Sequence, residues 1–535
     1  MFYSFRLSLL AWLREWGGAW IASLLCYGML WSAHAPRDNA EAAYLFLLPV
    51  LIWFHFRPGL RKCIICLLLA GWAYQIALVG WMRHVSFGGM TVATFLLSLY
   101  HLVWFLVARA WYPRFSSGTF GIRFLVIVGL SALWVSIEWA RTLFTLGFPW
   151  CPLSVTQWER PVLLQTALFG GGWTVSFFLV FFNLCIGSYL HHLLVRRRKA
   201  EGFFNRSICP ELYLGILLLM LMVYPFFASS DSPSVQSEKT LRVGVCQPYL
   251  LDKWKEGRAV QHKKILTQQT EFLSLLEPDI ILWPEASTPY PINLDPLWVE
   301  ELAAKSGIPI LAGSVVREED ISYNAMVYVD PAKGMNREWY AKQVLVPFGE
   351  YVPVPFHLIP GLDKMVGPVG NFSPGDRPIL FDLPIKNNGS PTTVRAGALI
   401  CYEDIFPAVS RTAVDYGAEL LLVSTNDAWF AEEGCAEQHA AHSVLRAVEN
   451  GLPIVRCGNA GWSGWVDNRG ITGEVLEDES GSVYFRGASV MEVRIPGVNR
   501  PGSNPLGYQF VIFCTILAVA VGLYFYFSSP RASVS

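Results

Sequence analysis

Residues 397–407 read GALICYEDIFP, an apolar run that stops at a cysteine, with two acids at the second and third positions beyond it. A strand of this kind fixes its backbone in a sheet while its end opens into a crevice, where α/β proteins place reactive side chains. Cys401 at that end reads as packed core, as one half of a disulfide or as a nucleophile. Its surroundings in the chain have to separate the three.

Similar runs recur on both sides. TLRVGVCQP (240–248), DIILWPE (279–285), IPILAGSVV (308–316), AMVYVD (325–330), ELLLVSTND (419–427) and LPIVRCGNAG (452–461) are strand candidates, as is VRAGALICYE (394–403) itself. Amphipathic helices are expected near 258–276, 296–306, 405–416 and 436–450. Together they predict a layered α/β domain over residues 238–495, its sheets covered by helices. SSDSPSVQS (229–237) reads as the entry linker and PGVNRPGSNPL (496–506) as the exit.

The remainder is of another kind. Over 535 residues the composition is 53% hydrophobic and 16% charged, with a mean hydropathy of +0.36, which points to an integral membrane protein. Apolar runs near 17–34, 42–56, 63–82, 90–108, 124–145, 166–190 and 212–228 predict seven spans in residues 1–228, and 507–527 an eighth at the C-terminus. The second is short against the roughly 20 residues a bilayer needs. A net charge of -1, with basic residues clustered in short loops between apolar runs, carries no sign of a nucleic-acid partner, and none is expected.

Loop charges predict orientation. One alternate set carries Arg6 and Arg14, then Arg57, Arg61 and Lys62, then Arg109, Arg114 and Arg123, then Arg196, Arg197, Arg198, Lys199 and Arg206, with Arg531 at the tail; the other holds Arg37, Arg83, Arg141 and Arg160. The positive-inside rule then puts both termini in the cytoplasm and residues 238–495 outside. Ala33-His34-Ala35 also resembles a signal-peptide cleavage site, and a cleaved first span leaves the same side outside.

Three strand ends carry chemistry. DIILWPEAS offers Glu285, EWYAKQVLVPFGEYVP offers Lys342 and Glu350, and GALICYED offers Cys401. Taken singly, each has an ordinary counterpart: a helix-capping acid, a solvated lysine, an inert buried thiol. Taken together they form a kit for acyl transfer. A carboxylate takes the proton of a thiol whose free pKa is about 8.5, an amine offsets the charge, and the same amine holds the oxyanion. Cys246, Cys401, Cys435 and Cys457 show no CxxC or Cys/His spacing, so no metal site is expected; a disulfide through Cys435 stays open.

WPEAS, KQVLVPFGEYVP, ALICYEDIFP and STNDAWF, in that order, resemble the nitrilase superfamily of carbon-nitrogen hydrolases. With seven spans before them and one after, the whole chain is similar to its apolipoprotein N-acyltransferase family, which adds the third acyl chain to bacterial lipoproteins. The resemblance implies a nitrilase-like αββα sandwich beside a multi-pass helical bundle of about eight spans. It implies Glu285 as general base, Lys342 as the triad lysine and Cys401 as nucleophile, with Glu350 orienting Lys342 or sharing proton transfer. Tyr402 and Glu403 follow the nucleophile as in the family. Asn324 in SYNAMVY and Trp254 in DKWKEG match positions for substrate handling or loop closure, and LGFPW, with Phe148, Pro149 and Trp150, fits the family's short apolar motif between spans and reads as a lipid contact or as an interfacial aromatic belt. One departure is Trp173 in GGGWTVSFF, where many relatives carry an acid.

The reaction so implied passes an acyl chain from the sn-1 position of a phospholipid to Cys401, then to the α-amine of a diacylglyceryl-cysteine on an apolipoprotein, in the bacterial inner membrane with the catalytic domain periplasmic. It calls for no metal or organic cofactor. Trp429, Phe430, Trp462 and Trp465 are expected at the rim of the site or in the core. Two rivals remain at this stage: a membrane-tethered amidase or nitrilase using water, and a transporter with an external binding module. Sparse ionisable residues in the spans, Glu138 and a few histidines, speak against the second.

Overall fold

The structure, a computed structural model, describes residues 2–144, 147–196, 208–228, 239–251, 257–354, 358, 372–385, 392–497 and 506–528. They form two compact units, Met1–Asp231 with Asn504–Ser535, and Ser232–Ser503. The linker expected at 229–237 lies outside the described residues, as does 498–505 of the second linker.

The first unit is helical. Leu60–His84, Phe87–Ser117, Phe120–Leu143, Gly172–Arg196 and Gly507–Phe527 are long and apolar enough to cross a membrane. Phe2–Ala33 and Pro210–Ala228 are further helices. The stretch expected as a span at 42–56 is not one continuous helix. It splits into a 3-10 turn, Ala40–Tyr44, and a helix of only eight residues, Leu48–His55. At about 1.5 Å per residue that helix covers about 12 Å, well short of a ~30 Å hydrocarbon core. Asn183 accounts for the break: its Oδ1 accepts from the Leu47 N–H at 3.0 Å and its Nδ2 donates to the Ala43 carbonyl at 2.7 Å, replacing bonds that a continuous helix would make. The helix expected from 166 begins at Gly172, because Gly171 takes φ 70 and ends the short turn before it.

The C-terminal helix belongs to this unit: Val511, Cys514 and Ala518 pack with Ala132, Val135 and Trp173. Basic loop residues meet at shared ends. Arg109 donates to the Pro58 carbonyl at 2.7 Å and Arg114 to that of Phe525 at 2.8 Å, while Arg123 and Arg196 both face the buried Glu211. Arg160 pairs with Glu41 at 2.9 Å, joining two of the sparsely charged loops.

The second unit is a sandwich of two sheets. Strands β1 (Lys239–Gln247), β2 (Ile280–Trp283), β3 (Ile310–Glu318), β4 (Ile321–Asp330), β5 (Gly334–Met335) and β6 (Tyr340–Ala341) make most of one; β7 (Leu380–Ile385), β8 (Thr392–Ile400), β9 (Leu420–Thr425), β10 (Ile454–Gly458), β11 (Gly464–Val466) and β12 (Thr472–Val475) make the other. The first is completed by β13 (Gly487–Ile495), giving the order β13-β1-β2-β3-β4-β5 with β6 on β4; the second runs β12-β11-β10-β9-β8-β7. In each, three central strands are parallel, β1-β2-β3 and β8-β9-β10, with antiparallel neighbours outside.

Strand alternation sorts the side chains. Leu241, Val243, Val245, Ile280 and Leu282 point between the sheets and meet Val394, Ala396, Ala398, Ile400, Leu420 and Leu422. Ile281 and Trp283 point outward, under Leu266 and Leu273 of helix Ala259–Ser274 and Val299 and Leu302 of helix Leu297–Ser306. Helices Pro407–Asp415 and Cys435–Asn450 supply the opposite outer layer, as their buried residues and contacts with the strands of that sheet require. This is the αββα sandwich expected. At Gly313 the sheets approach so closely that a Cβ would meet Pro284 O at 2.3 Å and Ser424 Oγ at 2.4 Å; only glycine fits without displacement.

Candidate active site

The C-terminal ends of the parallel strands β2, β8 and β9, together with that of the antiparallel β6, gather the reactive residues. β2 runs into Glu285, β6 into Lys342, β8 into Cys401 and β9 into Asp427. Two residues at these ends are strained: Ala286, after Glu285, has φ 44, and Cys401 has φ 51. A non-glycine residue in this region costs about 1–3 kcal/mol, and such strain concentrates at functional sites. For Cys401 it turns the chain sharply from β8 into the 3-10 turn Cys401–Ile405 and leaves the residue partly exposed.

Lys342 is positioned by sheet register. Ala341 pairs with Ala325 across β4 and β6, and the Lys342 N–H donates to the Asn324 carbonyl at 2.8 Å. Its side chain is 1% exposed. Nζ lies 3.2 Å from Glu285 Oε1 and 3.0 Å from Glu350 Oε1. The Asn324 amide donates to the same two oxygens at 2.7 and 2.8 Å, so two buried carboxylates are held together by one cation and one amide. Glu350 is anchored further by the Val346 N–H at 2.8 Å. Burial opposes the charge on Lys342, and the carboxylates of Glu285 and Glu350 outweigh it, holding the ammonium well above the ordinary lysine range.

The thiol is in the reverse position. Burial pushes Cys401 well above the ordinary range, the Glu285 carboxylate adds to this, and Lys342 opposes it. It therefore rests protonated beside a carboxylate able to take its proton, the arrangement for activation on demand rather than a standing thiolate. Glu403 cross-links the two strand ends. Its Oε1 accepts from the Gln343 and Val344 N–H groups at 2.5 and 3.2 Å, directly after Lys342, and its Oε2 from the Ile400 N–H at 2.7 Å and the Tyr340 hydroxyl at 2.8 Å. Burial pushes its carboxyl up to about 7. Tyr402, nearly buried, packs edge-on against Phe406 at 5.1 Å.

Glu285, Asn324, Lys342, Glu350, Cys401, Tyr402 and Glu403 thus come together in one unit. Phe148, Pro149 and Trp150 lie in the helical unit, where the Phe148 ring stacks on Trp150 at 5.9 Å and Trp150, 4% exposed, meets Trp81. Trp254 lies outside the described residues. Of the four aromatics expected near the rim, Trp429 is exposed, whereas Trp462 is buried and Trp465 packs on the inter-sheet core; those two belong to the core. None of the eleven cysteines, all among the described residues, is joined in a disulfide, so the one left open for Cys435 is not formed.

Sequence reasoning did not single out Asp404, Asp427, His439 and Arg456, a buried charged set behind the thiol. One signal was present: Arg456 interrupts the apolar strand LPIVRCG, and a buried guanidinium requires a carboxylate. Cys401, Asp427 and His439 bring donor atoms within 4.8 Å of one another. Both imidazole nitrogens already face carboxylates, however, and such a ring is held protonated rather than free to coordinate a metal.

Residues 242–492 match the carbon-nitrogen hydrolase family, and residues 27–185 match the apolipoprotein N-acyltransferase N-terminal domain. The chain is 30% identical over 426 residues to an apolipoprotein N-acyltransferase of Geobacter metallireducens, covering 75% of this chain and 77% of that protein. It is 30% identical over 414 residues to the apolipoprotein N-acyltransferase of Brucella melitensis, covering 73% and 71%. Among solved structures, XC1258 of Xanthomonas campestris, a CN-hydrolase superfamily protein, is 16% identical and covers 48% of this chain and 90% of that one, with a TM-score of 0.36.

Proposed function

Because the chain belongs to the apolipoprotein N-acyltransferase family, we propose that it acylates the N-terminus of lipoproteins in two half-reactions at Cys401, drawing the acyl chain from the sn-1 position of a membrane phospholipid. In the first, Glu285 takes the thiol proton and the thiolate attacks the ester carbonyl. Lys342 and a main-chain N–H near Tyr402 stabilise the oxyanion. The intermediate collapses to a thioester, and the glycerol oxygen leaves with the proton held by Glu285 as a lysophospholipid.

In the second half-reaction the uncharged α-amine of a diacylglyceryl-cysteine attacks the thioester. Glu285 accepts the amine proton and returns it to the departing thiolate, leaving an amide and the resting enzyme. Glu350 and Asn324 keep Lys342 and Glu285 in register through both steps. The observation that carries this reading is the buried Lys342 bridging Glu285 and Glu350 beside a strained cysteine.

The same reading puts the catalytic unit in the periplasm and both termini in the cytoplasm. Contacts of Arg109, Arg114, Arg123 and Arg196 with the loops and helix ends named above support grouping the basic loops on one side. Mass spectrometry of a lipoprotein N-terminus, from cells with and without this protein, tests the function. An N-acylated cysteine is expected only where the protein is present, and an unchanged N-terminus in its absence would refute the assignment.

A further inference from the structure

Behind the thiol lies a group that this reaction leaves unused. His439, on helix Cys435–Asn450, is 1% exposed. Its Nδ1 is 2.9 Å from Asp427 Oδ1; its Nε2 is 2.8 Å from Asp404 Oδ1 and 3.1 Å from the carbonyl oxygen of Cys401. All three neighbours are acceptors. A neutral imidazole has a single N–H and would set its other nitrogen lone pair against a carboxylate, whereas the imidazolium donates on both sides. Burial works against that charge, Asp404 and Asp427 outweigh it, and the pKa is pushed up to about 9.

The acceptors come from different elements. Cys401 and Asp404 lie in the turn after β8, and Asp427 lies in the turn after the neighbouring parallel strand β9. Asp404 is fixed in turn by Ser443 and by Arg456 of β10. One ring therefore ties the main chain of the strained cysteine to the ends of two strands. It also sits against Asp427, a charge that pushes the Cys401 thiol up.

We propose that His439 is a positioning residue for Cys401, holding the left-handed main chain through its carbonyl and offsetting the Asp427 charge that faces the sulfur. This rests on Cys401 being the nucleophile. The charges facing the thiol are Glu285, Lys342 and Asp427. Those facing the imidazole are Asp404, Asp427 and Arg456, with His442 from its own helix. Arg456 Nη2, at 3.8 Å, is the further cation near Asp427.

The two sides of the pair give opposite signs. Removing the imidazolium leaves Asp427 poorly compensated and raises the thiol further; removing the Asp427 charge lowers it. The test is the rate of Cys401 alkylation by iodoacetamide near pH 7, where the imidazolium carries its charge, in the full-length protein in detergent, read by peptide mass spectrometry, for wild type, His439→Gln and Asp427→Asn. The rate is expected to fall by about tenfold or more in the first variant and to rise in the second. An unchanged rate in a His439→Gln protein that melts like wild type overturns the proposal, as do changes of the same sign in both variants. Should His439→Gln not fold, Asp427→Asn decides alone, since it keeps an acceptor for Nδ1, and a rate that does not rise refutes the role. Alkylation needs no lipid, so its outcome is separate from the choice of acyl donor or acceptor; a wild-type Cys401 that never alkylates would instead count against the nucleophile itself.

Discussion

Lys342 Nζ lies closer to Glu350 than to Glu285, 3.0 Å against 3.2 Å, and the Asn324 amide donates to the same two oxygens. Glu285, the proposed base, therefore shares its cation. Glu350→Gln keeps the shape and removes one charge, so the ammonium turns fully to Glu285 and makes it a poorer proton acceptor. Acyl-enzyme formation is expected to slow by about 10- to 100-fold, or roughly 1.4–2.8 kcal/mol. Pre-steady-state measurement with phospholipid alone reads it, and a wild-type rate would remove Glu350 from the mechanism.

Cys401→Ala deletes one sulfur from a partly exposed position. Transfer should fall by at least about a thousandfold with the melting temperature kept within a few degrees. Wild-type protein given phospholipid but no acceptor should gain the mass of one acyl chain at Cys401, and hydroxylamine should remove it. A variant retaining more than a few per cent of the rate would end the nucleophile assignment.

Glu403 accepts from three main-chain N–H groups and the Tyr340 hydroxyl. Glu403→Ala leaves those donors buried without an acceptor, a loss on the order of 3 kcal/mol in stability. Glu403→Gln retains one acceptor oxygen and should lose less. Chemical denaturation of the two variants distinguishes them, and equal stabilities would show that the cross-link does not hold the turn.

Stability should decline on the alkaline side. The folded pKa of His439 lies above its ordinary 6.5, so the charged ring contributes fully below that value, and the contribution is lost as pH rises through about 9. Glu403, pushed by burial from 4.5 to about 7, acts in the same direction over a lower window. Asp404, held well below its ordinary range, loses its contribution only in strong acid. The melting temperature is expected to fall between pH 6 and pH 9, less steeply in His439→Gln; a flat profile in wild type would contradict the buried imidazolium.

Transferase and hydrolase differ in what resolves the thioester. An unperturbed α-amine has a pKa of about 7.7–8.0, so the fraction ready to attack grows from about pH 6 to 8. Ping-pong kinetics and a second half-reaction that accelerates over that range are expected. Release of free fatty acid at a rate indifferent to added acceptor would point to hydrolysis instead.

Legibility in the sequence followed burial. The strands that lead to Glu285 and Cys401 are continuous apolar runs whose ends pointed to those residues, whereas Lys342 follows the two-residue β6 and stood out only through its motif, EWYAKQVLVPFGEYVP. Edge strands were harder: β7 and β13 alternate inward and outward and carry Asp382, Glu492 and Arg494, so they lack an apolar run. The helical break between Tyr44 and Leu48 was hidden because the side chain that replaces its bonds, Asn183, lies more than a hundred residues away in the chain. His439 escaped for a related reason, lying within a helix whose pattern says only that one face is buried.

Gly313 turns the spacing of the sandwich into a kinetic quantity. Glu285 follows a strand of one sheet and Cys401 a strand of the other, and Gly313 sits where those sheets touch, against Pro284 O and Ser424 Oγ. A methyl group at that point acts as a shim between base and nucleophile. Since a displacement of about 1 Å can cost roughly a hundredfold in rate, Gly313→Ala should yield a folded protein that turns over slowly, and the acyl-transfer rate becomes a gauge of how closely the two sheets are seated.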